Sequence, residues 1–303
     1  MLVPNDSVVV DAATDALISA SGLSGLDPKG EDMTTSANLW QEIATTRVRP
    51  GTLVLWWLYQ SGVVLKSSGG TVVAVDPYLS DSVTRSYGIA RNVPAPLDAA
   101  EADLDALLAT HSHEDHLDPD SLASFLSHDR TRLIGPPMAV EKALAGGASP
   151  SRTMAVSRGD CLEIGDISLR AVHARHLFGP EPTPDAVGFV VEADGVSVYH
   201  SGDTEYDKDI VADTHGVTVS LISMNGTNGN MNAYEAALLA WLQDTRLAVP
   251  FHYGLWRDAD YGEGATLDPQ LFVDTYHRLH PQGRTLVLTG TSAVTLCPDG
   301  LAG

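Results

Sequence analysis

Thr110-His111-Ser112-His113-Glu114-Asp115-His116-Leu117-Asp118 is the stretch on which the reading of this chain turns. It sets three imidazoles and an aspartate into six consecutive positions. Imidazole and carboxylate are the usual protein ligands of zinc, manganese and iron. His111 and His113, with one residue between them, can point to one metal ion, and Asp115 and His116 can turn toward a second. A solvated polar loop would explain the composition but not the setting, because the run directly follows an apolar strand signal and precedes a helical one.

Outward from this motif, strand signals dominate. Asp105–Thr110 (DALLAT) reads as the short apolar strand that delivers the histidines. Pro119–Ser127 reads as a helix, with Asp118 as N-cap and Pro119 at its first position. Upstream, Thr52–Tyr59 and Gly62–Lys66 are strands, and Thr71–Asp76 returns as a hairpin partner through Ser68-Gly69-Gly70. Downstream come a strand at Arg132–Ile134 and a helix at Met138–Leu144. Strands follow at Ile167–His173, Val187–Glu192, Val196–His200 and Val217–Ser223. Asn232 caps a helix over Ala233–Gln243. A strand at Arg246–Pro250, a helix at Leu271–Leu279 and a closing strand at Thr285–Thr289 complete the series. VVLKSSGGTVVAVD and FVVEADGVSVYHSGD read as two hairpins that each finish on an aspartate, Asp76 and Asp203. The pattern favours one α/β domain with two β-rich layers flanked by helices.

One loop cannot fill two metal shells, so further ligands must come from elsewhere. His176 follows the strand ISLRAVH, Asp203 ends the strand-turn VYHSGDT, and His252 ends the apolar strand LAVPFH. All three stand where strands give way to loops. His128, His215, His277 and His280 sit in polar contexts that suit surface residues.

The ordered set H-x-H-x-D-H, a histidine after a strand, S-G-D-T, and a histidine after an apolar strand resembles the metallo-β-lactamase fold hydrolases over roughly residues 50–295. The resemblance implies a four-layer αβ/βα sandwich with a binuclear metal site at one edge. It implies that His111, His113 and His176 hold the first ion, that Asp115, His116 and His252 hold the second, and that Asp203 bridges them. His176 is preferred over His173 because the family's ligand falls just after the strand; His173 would then support a ligand or pack in the core. PGTLVLWWLYQSGVVLKSSGGTVVAVD, ATHSHEDHLD, VYHSGDTEY and VPFHYGLW further resemble the L-ascorbate-6-phosphate lactonase branch. The cofactors implied are two divalent ions, zinc or manganese, with iron as a third option. Two ions about 3.5–4 Å apart can hold a bridging hydroxide. The expected reaction is its attack on a small ester-like substrate, first of all a sugar or sugar-phosphate lactone. Asp115 is the expected catalytic residue, orienting or deprotonating the water. Asp76 is expected to support a ligand histidine. His200 and Tyr206 flank Asp203 as further candidates, and Arg175 and Arg257 are the cations best placed for a phosphate. A phosphodiesterase or nuclease is the alternative, and a non-catalytic metal-binding scaffold a more distant one.

The chain has 303 residues with 39 Asp+Glu against 18 Lys+Arg, a formal charge of −21. Such a field repels nucleic acid and anionic membranes, so the expected partner is a small molecule. The oligomeric state stays open, a homo-oligomer included. The two cysteines, Cys161 and Cys297, form no CxxC pair, which argues against thiolate zinc and disulfide scaffolds. No basic leader and no apolar run of about 18 residues is present, so a cytoplasmic location is expected. Residues 1–49 read as an N-terminal extension, loosely docked to about residue 35 and then carrying a short helix anchored by Trp40. Residues 50–303 read as the hydrolase domain.

Overall fold

Runs such as Leu53–Trp57 and Val72–Val75 are apolar at every position, so neither face of these strands can be left in water. The computed structural model describes residues 36–302; the reading of residues 1–35 falls outside them. The first sheet contains β1 (Leu53–Trp57), β2 (Val63–Lys66), β3 (Val72–Val75), β4 (Ala106–Leu108), β5 (Arg132–Gly135) and β6 (Thr153–Ala155). The second contains β7 (Cys161–Ile164), β8 (Ile167–His173), β9 (Val187–Ala193), β10 (Val196–His200), β11 (Val219–Ser223) and β12 (Leu247–Phe251). The chain then returns to the first sheet as β13 (Val294–Cys297) and β14 (Gly300–Leu301). The sheet orders are β14-β13-β1-β2-β3-β4-β5-β6 and β12-β11-β10-β9-β8-β7.

Alternation along β1 explains the layering. Leu53, Leu55 and Trp57 face the second sheet's Leu169, Phe189 and Val191, whereas Val54 and Trp56 face the outer helices. The paired tryptophans therefore serve two different cores. On the outer side of the first sheet lie α1 (Ser36–Thr45), α3 (Leu122–Phe125) and α4 (Pro137–Ala145), following a short α2 (Ser82–Tyr87). The second sheet is covered by α5 (Lys208–Thr214), α6 (Ala233–Leu242) and α7 (Pro269–Leu279). This is a four-layer αβ/βα sandwich. Among the described residues, no helix is long and apolar enough to cross a membrane.

Several local expectations change. In α1, Leu39 and Ile43 carry the burial while Trp40 is only half-buried. The C-terminus of α1 is held by Lys66, whose buried ammonium donates to the carbonyls of Ile43 (2.7 Å) and Ala44 (2.9 Å); a cation there complements the helix dipole. Asp118 does more than start a helix. Its carboxylate accepts from the Asp120 amide (3.2 Å), from the Leu79 and Ser80 amides at 2.9 Å each, and from the hydroxyls of Ser80 and Ser121. Residues 119–121 form a turn, and the regular helix is shorter than expected, Leu122–Phe125. Thr285–Thr289 makes only a single bridge, Thr285 with Ala248, and the strand that closes against β1 is Val294–Cys297. The half-exposed edge strands β6 and β7 lack the apolar run that would have announced them. Asn232 does cap α6, with a full capping box through Glu235.

The hairpin turns at one end tie the sheets together. Asp166, between β7 and β8, accepts from Ser67 Oγ (2.6 Å), the Gly69 amide (2.9 Å) and Thr71 Oγ1, all in the β2–β3 turn. Burial alone would raise the Asp166 carboxyl, but these hydrogen bonds hold it below the usual carboxylate range. We expect Asp166→Ala to cost about 1–2 kcal/mol, given the exposure of the site. The checking measurement is urea unfolding: a lower midpoint at neutral pH. Because the folded value is depressed, the wild-type advantage should be complete above about pH 4 and fade as pH falls through the lower, folded value.

Candidate metal centre

The site is built at the opposite end, where β3, β4, β8, β10, β11 and β12 run out into loops. β3 ends on Asp76, whose φ of 48° lies in the left-handed region, and β12 ends on His252 at φ 72°. Such backbone costs about 1–3 kcal/mol per residue and persists only where surroundings enforce it. For His252 that support includes a backbone bond from its N–H to the Gln60 carbonyl (3.1 Å). Gly202, at φ 57°, has a different reason: a Cβ there would lie 2.6 Å from Thr110. Only glycine lets the S-G-D turn press against the histidine loop.

The ligand atoms fall into two groups, each within 4.8 Å: His111, His113, His176 and Asp203, and Asp115, His116 and His252. Asp203 stands between them. Its Oδ1 is 2.9 Å from His252 Nε2 and 3.3 Å from His116 Nε2, while its Oδ2 faces His176 Nε2 at 4.0 Å. Asp115 Oδ2 is 3.5 Å from His116 Nε2 and 3.8 Å from His252 Nε2.

Asp76, fully buried, supports two of these histidines. Oδ2 accepts from His116 Nδ1 (2.7 Å) and from Thr110 Oγ1 (2.6 Å), and Oδ1 accepts from the Thr110 amide (2.8 Å). Thr110 Oγ1 is in turn 3.1 Å from His111 Nδ1. The Nδ1 side of both rings is thereby anchored, leaving both Nε2 atoms toward the centre. His113 is oriented the other way, its Nε2 donating to the Glu181 carbonyl at 2.7 Å.

The electrostatics suit a cation. Burial, reinforced by the neighbouring His116 and His113, holds His111 well below the usual histidine range, and burial lowers His176 as well. Both imidazoles therefore stay neutral and able to ligate. Burial also opposes charging of His116, but Asp203, Asp115 and Asp76 together hold it well above that range. Asp203 is held well below the usual carboxylate range; burial opposes this, and His252 and His116 outweigh it. His176 is nearly fully buried, yet neither ring nitrogen has a hydrogen-bond partner among the described residues. Orphaned buried polar atoms are costly. A metal ion would give this ring the partner it lacks, so the donor set fits the group that the sequence implied.

Other expected site residues lie elsewhere. His173 is half-buried and turns to Asp207 (3.4 Å), away from the cluster, because strand alternation carries it off the site face. Arg175 is paired with Glu205 (3.1 Å) and Asp207 (3.8 Å) and does not line the cleft. Arg257 is exposed and held two-fold by Asp260 (2.8 and 2.9 Å), also off the cleft. Tyr206 is exposed and off the cleft wall. His200 is buried; its Nε2 donates to the Ser61 carbonyl (2.8 Å) and its Nδ1 accepts from the Gly202 amide (3.2 Å). It shapes the turn that carries Asp203 rather than touching the centre. Two residues escaped sequence reasoning: the amides of Gln60 and Asn225 lie 3.0 and 2.9 Å from His252 Nδ1. Asn225-Gly226 at a strand's end was the one available signal for the second.

A family model described as a β-lactamase superfamily domain matches residues 71–253. The chain belongs to the metallo-β-lactamase fold hydrolases. It is 30% identical over 260 residues to the probable L-ascorbate-6-phosphate lactonase UlaG of Salmonella heidelberg, covering 71% of this chain and 73% of that one. Among solved structures it resembles Igni18, a metallo hydrolase of the hyperthermophilic archaeon Ignicoccus hospitalis, with a TM-score of 0.60 at 19% identity, covering 81% of this chain and 98% of that one. It also resembles the metallo-β-lactamase fold protein YhfI of Bacillus subtilis, with a TM-score of 0.59 at 15% identity, covering 81% and 99%. These two likenesses show the fold.

Loss of a carboxylate that orients metal-binding histidines typically costs about 10–100-fold in metal affinity. We expect Asp76→Ala to weaken zinc binding by that amount, measured by competition with a chromogenic chelator. Unaltered affinity would contradict the role given to Asp76.

Proposed function

We propose that this protein hydrolyses a small ester-like substrate, most simply by opening a lactone ring. The observation that carries the reading is the pair of ligand groups meeting at Asp203 and opening, through Asp115 and His252, onto a cleft of about 180 Å³. Its similarity to a relative named as a probable lactonase supports the choice of electrophile. His111, His113, His176 and Asp203 would hold one divalent ion, and Asp115, His116 and His252, with Asp203 shared, a second. Zinc and manganese both suit this donor set, with iron as a third option. When bound, such ions polarise a carbonyl oxygen and bring the pKa of water toward neutrality.

The chain's own residues supply the rest. Asp115 is the one ligand-group carboxylate that is also clearly open to the cleft, its side chain 17% exposed against 7% for Asp203. It can take a proton from the attacking water and return it to the leaving ring oxygen. Asp203, flanked by His116 and His252, keeps its negative charge and so stays fixed. Trp256 and Tyr261 wall the cleft and limit access of bulk water. A cytoplasmic location belongs to the same reading, since Cys161, exposed, and Cys297 are both free thiols.

The test is a panel of lactones beside bis-p-nitrophenyl phosphate, assayed with and without a chelator. We expect chelator-sensitive lactone opening, and exclusive phosphodiester turnover would overturn the reading. Asp115→Asn should lower kcat by at least about 100-fold while the protein still takes up metal.

A further inference from the structure

A phosphate-bearing substrate needs a cation at the site, usually an arginine able to bind two oxygens at once. None of the cleft-lining residues is a lysine or arginine. Cations around the site are held elsewhere: Arg175 by Glu205, Arg257 by Asp260, Arg85 by Asp120, Lys142 by the Ser112 carbonyl, and Arg91, which does not line the cleft, by the Tyr78 and Val93 carbonyls, with its Nη2 buried and without a partner among the described residues. What lines the cleft instead is acidic. Besides Asp115 and Asp203, the wall contains Glu114, Glu181 and Asp260. Glu114 accepts from Ser86 Oγ (3.0 Å) and Glu181 from Tyr87 OH (2.9 Å); neither has an ion-pair partner among the described residues. Burial, the hydrogen bond to Glu181 and the nearby carboxylates of Glu114 and Asp115 together push the Tyr87 phenol up to about 12.

The same wall holds unused neutral hydrogen-bonding groups. Asn230 is 8% exposed, and neither its amide oxygen nor its amide nitrogen has a partner among the described residues. Thr227 Oγ1 and Trp256 Nε1 are likewise buried without partners. All three residues line the cleft together with Asp115 and His252. An amide that can donate and accept is suited to a hydroxyl, which does both.

We propose that the cleft selects an uncharged, hydroxyl-bearing lactone rather than a phosphorylated one, with Asn230 as the residue that reads the hydroxyl. The inference rests on the hydrolytic reading above and names its substrate class. It also gives the acidic wall a use. Opening the ring breaks the acyl C–O bond, joins the water oxygen to the carbonyl carbon and places one water proton on the ring oxygen. The resulting carboxylic acid releases its proton to solvent. A neutral substrate thus becomes an anion facing Glu114 and Glu181, which favours its departure.

The experiment pairs an unphosphorylated aldonolactone with its phosphate ester. With metal-loaded wild-type protein, kcat/KM should favour the uncharged lactone by at least about tenfold, and added salt should narrow the gap by speeding only the phosphate ester. Calorimetry on metal-reconstituted Asp115→Asn reads the same preference as Kd without turnover. If wild type opens neither lactone, the hydrolytic reading falls, while the Kd ratio still decides the charge preference. Equal or tighter binding of the phosphate ester would overturn the proposal. For Asn230, the comparison is between the hydroxylated lactone and an unsubstituted one. Asn230→Ala should raise KM for the hydroxylated lactone about tenfold more than for the unsubstituted one, with a much smaller change in kcat. Equal losses on both, or none on either, would remove Asn230 from that role.

Discussion

A carboxylate with no access to solvent organises this molecule: Asp76 accepts from His116 directly and reaches His111 through Thr110. Its third bond, from the Thr110 amide, joins the end of β3 to the end of β4. One side chain therefore fixes the direction of two imidazoles and the register of the loop that carries them. A buried charge is tolerable only when its hydrogen bonds are all supplied, and here they are supplied by the groups it must orient. His116 completes the arrangement by presenting its other nitrogen to Asp203. The two aspartates that end the two echoing hairpins thus grip opposite edges of one ring, one from each sheet.

The sandwich exists to bring those hairpins together. β2–β3 belongs to the first sheet and β9–β10 to the second, and both are packed by apolar strands with no tolerance for slippage. A one-residue shift in either would exchange core and outer faces. At the metal-site edge, Asp76 and His252 hold left-handed backbone, as Asp194 does in a turn of the far edge. At the far edge, Asp166 and Asp194 tie the turns of the second sheet to the first. Tied turns at one end and preorganised ligand geometry at the other are two results of the same packing.

The net charge of −21 acquires a local meaning at the cleft. Some carboxylates face the cluster and offset positive charge there. Others, such as Asp260, neutralise the arginines that a phosphate would need. Glu114 and Glu181 instead leave the mouth negative. The overall field and the local one have the same sign.

The sequence alone determined which side chains could ligate, because H-x-H-x-D-H between a strand and a helix and the later His176, Asp203 and His252 are matters of residue type, order and setting. It determined the central strands of both sheets as well, since continuous apolar runs of strand length have few other uses, but not the edge strands β6, β7 and β14. The extent of α3, the identity of the closing strand and the roles of Arg175, Arg257, His173 and Tyr206 were decided only by the tertiary structure. Each depends on a partner distant in sequence: Asp118 reaching back to Leu79, β13 meeting β1, Arg175 and His173 meeting the acids of the 205–207 loop. The same holds for Gln60 and Asn230, whose neutral amides carry no signature until folding aims them at an imidazole or a cleft. Ligand chemistry is local and can be read along the chain, whereas charge compensation and hydrogen-bond satisfaction are settled in space.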